Sequence, residues 1–290
     1  MLCVLLGVAY MTLLERKILS YVQTRKGPNK VGLGGLFQPL ADALKLFLKE
    51  QLLIYASNVS IFLLLPLLGL VLNLAMWGIL PSWYNTNYVT FNLLLFLCLS
   101  SLNVYIVFGA GWASNSLYAF LGGMRASAQT ISYEICFVFL LFTPLMFTYT
   151  ATLTGFLSVF PLFSLFGFCF LLWFATCLAE TNRAPFDFAE GESELVSGFN
   201  IEYGGGPFAF LFLAEYTAIM LLSMLTSVCF LVSTTTIFFI ISTLLIISCF
   251  LFIRGVYPRY RYDKLMLMCW KSFLPLSMSF LSLVGLVLLI

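Results

Sequence analysis

The chain has 290 residues, of which 62% are hydrophobic and only 9% charged, with a formal net charge of +2 and no histidine. A soluble domain carries about 25% charged residues, so this composition excludes one and describes a membrane protein. The small net charge argues against a nucleic acid as partner, and the missing histidine removes the usual proton shuttle and haem ligand. The eight cysteines stand singly, without the paired spacing that holds zinc or an iron–sulfur cluster, and read as small hydrophobes.

An apolar run of about 20 residues can cross a bilayer. Such runs lie near 1–22, 58–80, 89–109, 126–148, 157–179, 208–231, 236–253 and 271–290. They predict an all-α polytopic membrane protein of about eight transmembrane helices, forming a single membrane domain over 1–290. The first run is short of apolar residues before Glu15. Either the N-terminus is incomplete, or Glu15 and Arg16 lie within membrane depth.

After the turn KGPNKVGLGG, residues 36–53 place Leu36, Phe37, Leu40, Leu44, Phe47 and Leu48 at helical spacing, with Asp42, Lys45 and Lys49 on the other face. That pattern predicts an amphipathic helix lying in the membrane interface. A plain lipid-surface anchor would have the same pattern. All fourteen bases fall at the edges of, or within, the odd-numbered connections. By the positive-inside rule those connections share the negative side of the membrane, with both termini on the other side.

Half of the twelve acidic residues crowd into the loop 180–207, AETNRAPFDFAEGESELVSGFNIEYGGGPF with its flanks: Glu180, Asp187, Glu190, Glu192, Glu194 and Glu202. A solvated connection would be charged too. Against that reading, Glu180 directly follows the apolar run FLLWFATCLA, Glu215 sits inside FLFLAEYTAIM, and Glu134 sits inside ISYEICFVF. Ionisable residues at membrane depth are costly and mark ion or proton paths by default. On a helix, Asp187, Glu190 and Glu194 would share a face; in an extended chain, Glu190, Glu192 and Glu194 would. Like charges ~4 Å apart repel by about 4 kcal/mol at an effective dielectric near 20. Several of these groups are therefore expected to hold protons and to titrate as a set. Tyr133, Tyr203 and Tyr216, each beside a glutamate, either extend that proton chain or serve as interfacial aromatics. The GGGP after Tyr203 permits either a movable loop or a simple tight turn.

Two stretches concentrate bases: Glu15-Arg16-Lys17 through Arg25-Lys26, and RGVYPRYRYDKLM with Arg254, Arg259 and Arg261. Beside membrane spans such residues meet lipid head groups, an acidic partner surface or an amphiphilic ligand entering from the bilayer. Composition does not choose among the three.

The motifs LLERKILSYVQTRKGPNKVG, MRASAQTISYE, AETNRAPFDFAEGESELVSGFNIEYGGGPFAFLFLAEY and YPRYRYDKLMLMCWKSFLPL run in order through nearly the whole chain. Together they closely resemble the first-subunit family of mitochondrial NADH:ubiquinone oxidoreductase, respiratory complex I. The resemblance implies a subunit where membrane and peripheral arms meet, in the mitochondrial inner membrane with the odd connections on the matrix side. It implies a chain that forms the quinone-access cavity, with ubiquinone as substrate of the complex. By position, Arg16, Arg25 and Arg261 fall on the quinone passage. Glu134, Glu180, Asp187, Glu190, Glu192, Glu194, Glu202 and Glu215 fall on the acidic path toward the proton-pumping subunits. No cofactor is expected in this chain alone; NADH, FMN and the iron–sulfur clusters belong to partner subunits. The implied partners are the peripheral-arm quinone-module subunits, neighbouring small membrane-arm subunits and membrane lipids, with no nucleic acid.

Two departures from the family pattern stand out. Its members usually have several more residues before the position of Glu15, and the run after Tyr203 is richer in glycine. Other readings are the related membrane subunit of an energy-converting hydrogenase, a stand-alone proton-coupled transporter, and a structural anchor. The full motif match argues against the first, the absence of an internal repeat against the second, and the embedded glutamates against the third.

Overall fold

In a computed structural model, the described residues are 1–52, 54–55, 57–81, 90–156, 167–187, 198–200, 202–231 and 235–289. Among them the chain is helical, with no strand. In order come α1 (Leu2–Val22), the amphipathic α2 (Gln38–Leu48), α3 (Val59–Trp77), α4 (Asn92–Ala113), α5 (Leu117–Thr148) and the single turn α6 (Leu153–Phe156). They are followed by α7 (Gly167–Glu180), α8 (Gly206–Thr226) with a π-helical turn at Ser227–Leu231, and α9 (Thr236–Val256). Last are α10 (Tyr262–Met268), a second π-helical turn at Cys269–Phe273, and α11 (Leu274–Leu289).

Six helical stretches among the described residues are long and apolar enough to cross a membrane: α3, α4, α5, α8 with its π turn, α9, and Tyr262–Leu288. The protein is thus an all-α polytopic membrane protein, as its composition dictates. The first expected span is the continuous helix α1, which carries Glu15, Arg16 and Lys17 near its end. Of the fifth, Gly167–Glu180 is described, and residues 157–166 lie outside the described residues.

Helix boundaries differ where a charge was read as a limit. The sequence predicts a fourth span beginning at 126, just after Arg125, whereas α5 begins at Leu117. The reason is packing. Gly111 of α4 faces the start of α5 so closely that an added Cβ would lie 2.8 Å from the Ala119 carbonyl oxygen and 3.2 Å from Gly123 Cα. Small residues at helix crossings let backbones approach in this way. Arg125 is accommodated with its guanidinium 5.8 Å from the Tyr262 ring centre. At the other end of the chain, helix begins at Tyr262 rather than near 271 and runs through the π turn. The interfacial helix is shorter than 36–53. Pro39 lies in its first turn, where a missing N–H costs nothing, and it ends at Leu48.

The bundle is built round α5, which packs against α4, α7 and the last helix, while α3 lies against α4 and α8. Its centre is aromatic: Phe137 stacks on Trp173 with centroids 4.5 Å apart, and Phe230 lies 5.5 Å beyond. Around the rim, α1 lies against α8 and α9, and α2 against α1 and α8. On α2, Leu40, Leu44, Phe47 and Leu48 are exposed, in keeping with a helix laid on lipid.

Candidate functional site

Three apolar helices deliver carboxylates to the interior. Glu134 sits on α5, where Ser100 of α4 approaches it at 3.5 Å. Glu180 ends α7, and its buried Oε2 finds no hydrogen-bond partner among the described residues. Glu215 lies in the middle of α8. Between α3, α4, α5, α7 and α8 runs a cavity of about 120 Å³. Glu180 and Glu215 both line it, as do Ser100, Asn103 and Asn182. A single buried water needs roughly 10–15 Å³ and two to four polar partners, so this space accepts a short file of waters. Such a file, bounded by carboxylates, can hand a proton from one to the next.

Gln129 fixes the turn that follows Glu180. Fully buried on α5, its amide nitrogen donates to the Ala179 carbonyl at 3.1 Å and to the Phe186 carbonyl at 2.9 Å. The end of α7 and the turn that follows it are therefore both tied to α5, and Glu180 is the last residue of α7 before that turn. Asn182, in left-handed conformation, and the cis Ala184–Pro185 bond complete the reversal. The turn delivers two charged residues to different partners. Asp187 is buried and pairs with Arg259 at 3.3 Å, while Arg183 reaches α1.

What Arg183 reaches is Glu15, only 3% exposed. Glu15 Oε1 accepts from Arg183 at 3.0 Å and from Arg254 of α9. Its Oε2 accepts from the Tyr216 hydroxyl at 2.5 Å, and the Arg183 guanidinium lies 4.5 Å from the Tyr216 ring centre. One carboxylate thus joins four elements: α1, the turn after α7, α8 and α9. The charge-assisted bonds make up for its desolvation. Tyr216 follows Glu215 on α8, so successive residues face the ion cluster and the cavity.

The remaining expected residues fall elsewhere. Arg16 pairs with Asp42 of α2 at 2.7 Å, joining α1 to the interfacial helix. Arg25 lies in the exposed turn after α1 with its Nε on Gln23 at 3.0 Å, and Arg261 is exposed beside Asp263 at the start of α10. All three bases are exposed. Glu202 is half-buried at the end of its loop. Glu190, Glu192 and Glu194 lie outside the described residues. Of the three tyrosines, Tyr133 and Tyr203 are buried and Tyr216 is half-buried. Tyr133 donates to the Leu265 carbonyl at 3.2 Å, and Tyr203 stacks on Phe62 at 4.0 Å. Burial pushes the Tyr203 phenol up, which keeps it neutral. The GGGP run is a tight helix start. Gly205 has φ +67°, and a Cβ there would meet the carbonyl oxygens of Lys49 and Glu50.

Sequence reasoning missed Glu15, Gln129 and the interior amides Asn73 and Asn103 as site residues. The available signal was polarity within apolar runs, since a buried amide or carboxylate in a span requires a partner.

Fold and site together define a multi-pass membrane protein with two carboxylates, Glu180 and Glu215, on a cavity between its helices. The sequence profile of the NADH dehydrogenase family matches residues 1–285. The chain is 52% identical over 286 residues to NADH-ubiquinone oxidoreductase chain 1 of Aedes aegypti, covering 97% of this chain and 91% of that one. It is 53% identical over 290 residues to the protein of the same name from Anopheles gambiae, covering 97% and 90%. With Paracentrotus lividus the identity is 46% over 289 residues, covering 95% and 89%. The chain belongs to the NADH dehydrogenase family.

Proposed function

We propose that this chain is a membrane subunit of a proton-pumping NADH:ubiquinone oxidoreductase in the mitochondrial inner membrane, with its basic connections on the matrix side. In this reading α1 and α2 border the quinone passage, with Arg16, Arg25 and Arg261 along it. NADH, FMN and the iron–sulfur clusters are carried by partner subunits of the peripheral arm. The carboxylates Glu134, Glu180, Asp187, Glu202 and Glu215, with Glu190, Glu192 and Glu194, form the acidic path that links quinone reduction to proton translocation.

The observation that carries this reading is the cavity into which Glu180 and Glu215 both open, with Ser100 leading on to Glu134. The names of the relatives supply the substrate. The chemistry asked of this chain is modest: hold protons on buried carboxylates, pass them through water, and change local charge when the quinone is reduced. The ion cluster at Glu15 touches both sides of that task. It grips the turn that bears Glu180 and the helix that bears Glu215, and it sits one residue from Arg16 on the quinone side.

The test is substitution of Glu180 by Gln in assembled enzyme. Gln keeps the shape and removes the titratable proton. Quinone-linked turnover and proton pumping should fall about a hundredfold or more, in the range for loss of a positioned acid or base. NADH oxidation by artificial dyes, which bypasses the membrane arm, should be unchanged. Unaltered quinone reductase rates in well-assembled enzyme would remove Glu180 from the path.

A further inference from the structure

An amide side chain offers a donor and an acceptor that do not change with pH. Asn73 lies in VLNLAM on α3 and Asn103 in SLNVYIV on α4. The fold brings them together. Asn103 Nδ2 donates to Asn73 Oδ1 at 3.3 Å, and Asn73 Nδ2 donates to the Ala214 carbonyl of α8 at 3.1 Å. The direction is set by chemistry: a carbonyl only accepts, so the Asn73 nitrogen must face it and the Asn73 oxygen is left for Asn103. One turn further on, Trp77 Nε1 donates to the Thr217 carbonyl at 3.2 Å. Two side chains of α3 therefore hold the backbone of α8 on either side of Glu215. Asn73, Asn103 and Glu215 all line the cavity.

We propose that Asn73 and Asn103 are positioning residues for Glu215, forming a neutral strap from the cavity wall on α4, across α3, to the turn of α8 that bears the carboxylate. The proposal rests on the reading of the cavity as a proton path. As the carboxylates gain and lose charge, the field in the cavity changes, and any titratable group used as a strap would change with it. An amide does not. It keeps a donor on Ala214 in every charge state and fixes where Glu215 meets the water file, without competing for the proton. An aspartate at position 73 would turn an acceptor toward the Ala214 carbonyl and lose the bond. Asn103 acts through Asn73, because its own link to α8 passes through the Asn73 oxygen.

The experiment uses membranes containing the assembled enzyme, with turnover expressed per assembled complex. Quinone reductase rate is measured across the neutral pH range, together with protons moved per electron. The variants are Asn73→Leu, Asn73→Asp, Asn103→Leu and the Asn73→Leu/Asn103→Leu pair, with Glu215→Gln as reference. Loss of one net hydrogen bond corresponds to about a three- to tenfold effect. Asn73→Leu and Asn73→Asp should both lower turnover by that factor, displace the pH profile and reduce protons per electron. Asn103→Leu should shift the profile the same way by less, and the pair should do no more than Asn73→Leu alone, as expected of residues acting in series. If Asn73→Leu fails to assemble, the half-buried Asn103→Leu carries the test through its pH profile. The strap is overturned if Glu215→Gln lowers turnover while the Asn variants keep the wild-type pH profile and proton ratio. A silent Glu215→Gln overturns both the strap and the proton-path reading beneath it.

Discussion

At the scale of single residues, Glu15 is held by three partners at once. It is buried on α1, and it accepts from two guanidiniums and a phenol. A buried carboxylate is tolerable only while its partners remain, and breaking such a set by removing one member costs about 3–5 kcal/mol. Glu15→Ala should therefore lower the melting temperature and the yield of assembled enzyme more than Glu15→Gln, which keeps an acceptor for Tyr216. The measurement is thermal unfolding of the detergent-solubilised complex; equal melting temperatures for wild type and Glu15→Ala would show that the cluster contributes nothing to stability. Glu15 was visible in the sequence as a charge at an awkward depth. Its partners were not, because they come from positions 168, 201 and 239 residues away. No local pattern encodes a meeting at that separation.

At the scale of elements, hydrophobic runs located the helices, and two helical stretches extend beyond the runs, α5 from Leu117 and the last from Tyr262. Arg125 reads as a boundary because a base at membrane depth is costly, yet α5 continues past it toward its N-terminus. What overrides the charge is the close crossing of α4 and α5 at Gly111 and Gly123. A side chain at Gly111 would meet main-chain atoms of α5, which cannot rotate away. Gly111→Val should destabilise the bundle by about 1–3 kcal/mol, the usual penalty of overpacking. Gly285, where an added Cβ meets nothing within 4 Å, should accept alanine at no measurable cost. Comparing the melting of the two variants checks the claim, and equal melting would mean that α4 and α5 can separate without penalty. The two faces of the amphipathic helix were legible, because they are a local property of 3.6-residue spacing. Its length was not, since its end depends on how the chain packs beside Gly205.

At the scale of the whole molecule, the fold leaves charged groups on its rim that a solitary membrane protein has little use for. Arg25, Arg261, Lys264 and the exposed Tyr257 and Tyr260 form surface at the ends of α1 and α9. As a subunit, the chain should migrate in native gels of mild-detergent extracts within one very large band that stains for NADH–dye activity. Migration as a small species without dehydrogenase activity, in a well-preserved extract, would sink the subunit reading.

Composition alone determined that this is a helical membrane protein, because lipid forces every backbone polar group to be satisfied within a helix and the hydrophobic runs mark where. The family could also be read directly, since its motifs are contiguous strings of residues. The gathering of carboxylates was legible as an excess of costly charge. Only the tertiary structure decided which of them share a space, that Gln129 ties the turn after α7 to α5, that Asn73 and Asn103 link α4 through α3 to α8, and that Glu15 meets Arg183, Arg254 and Tyr216. Those relations are set by contacts between helices far apart in sequence. A single chain, read in one dimension, shows which residues need partners but not which partners they find.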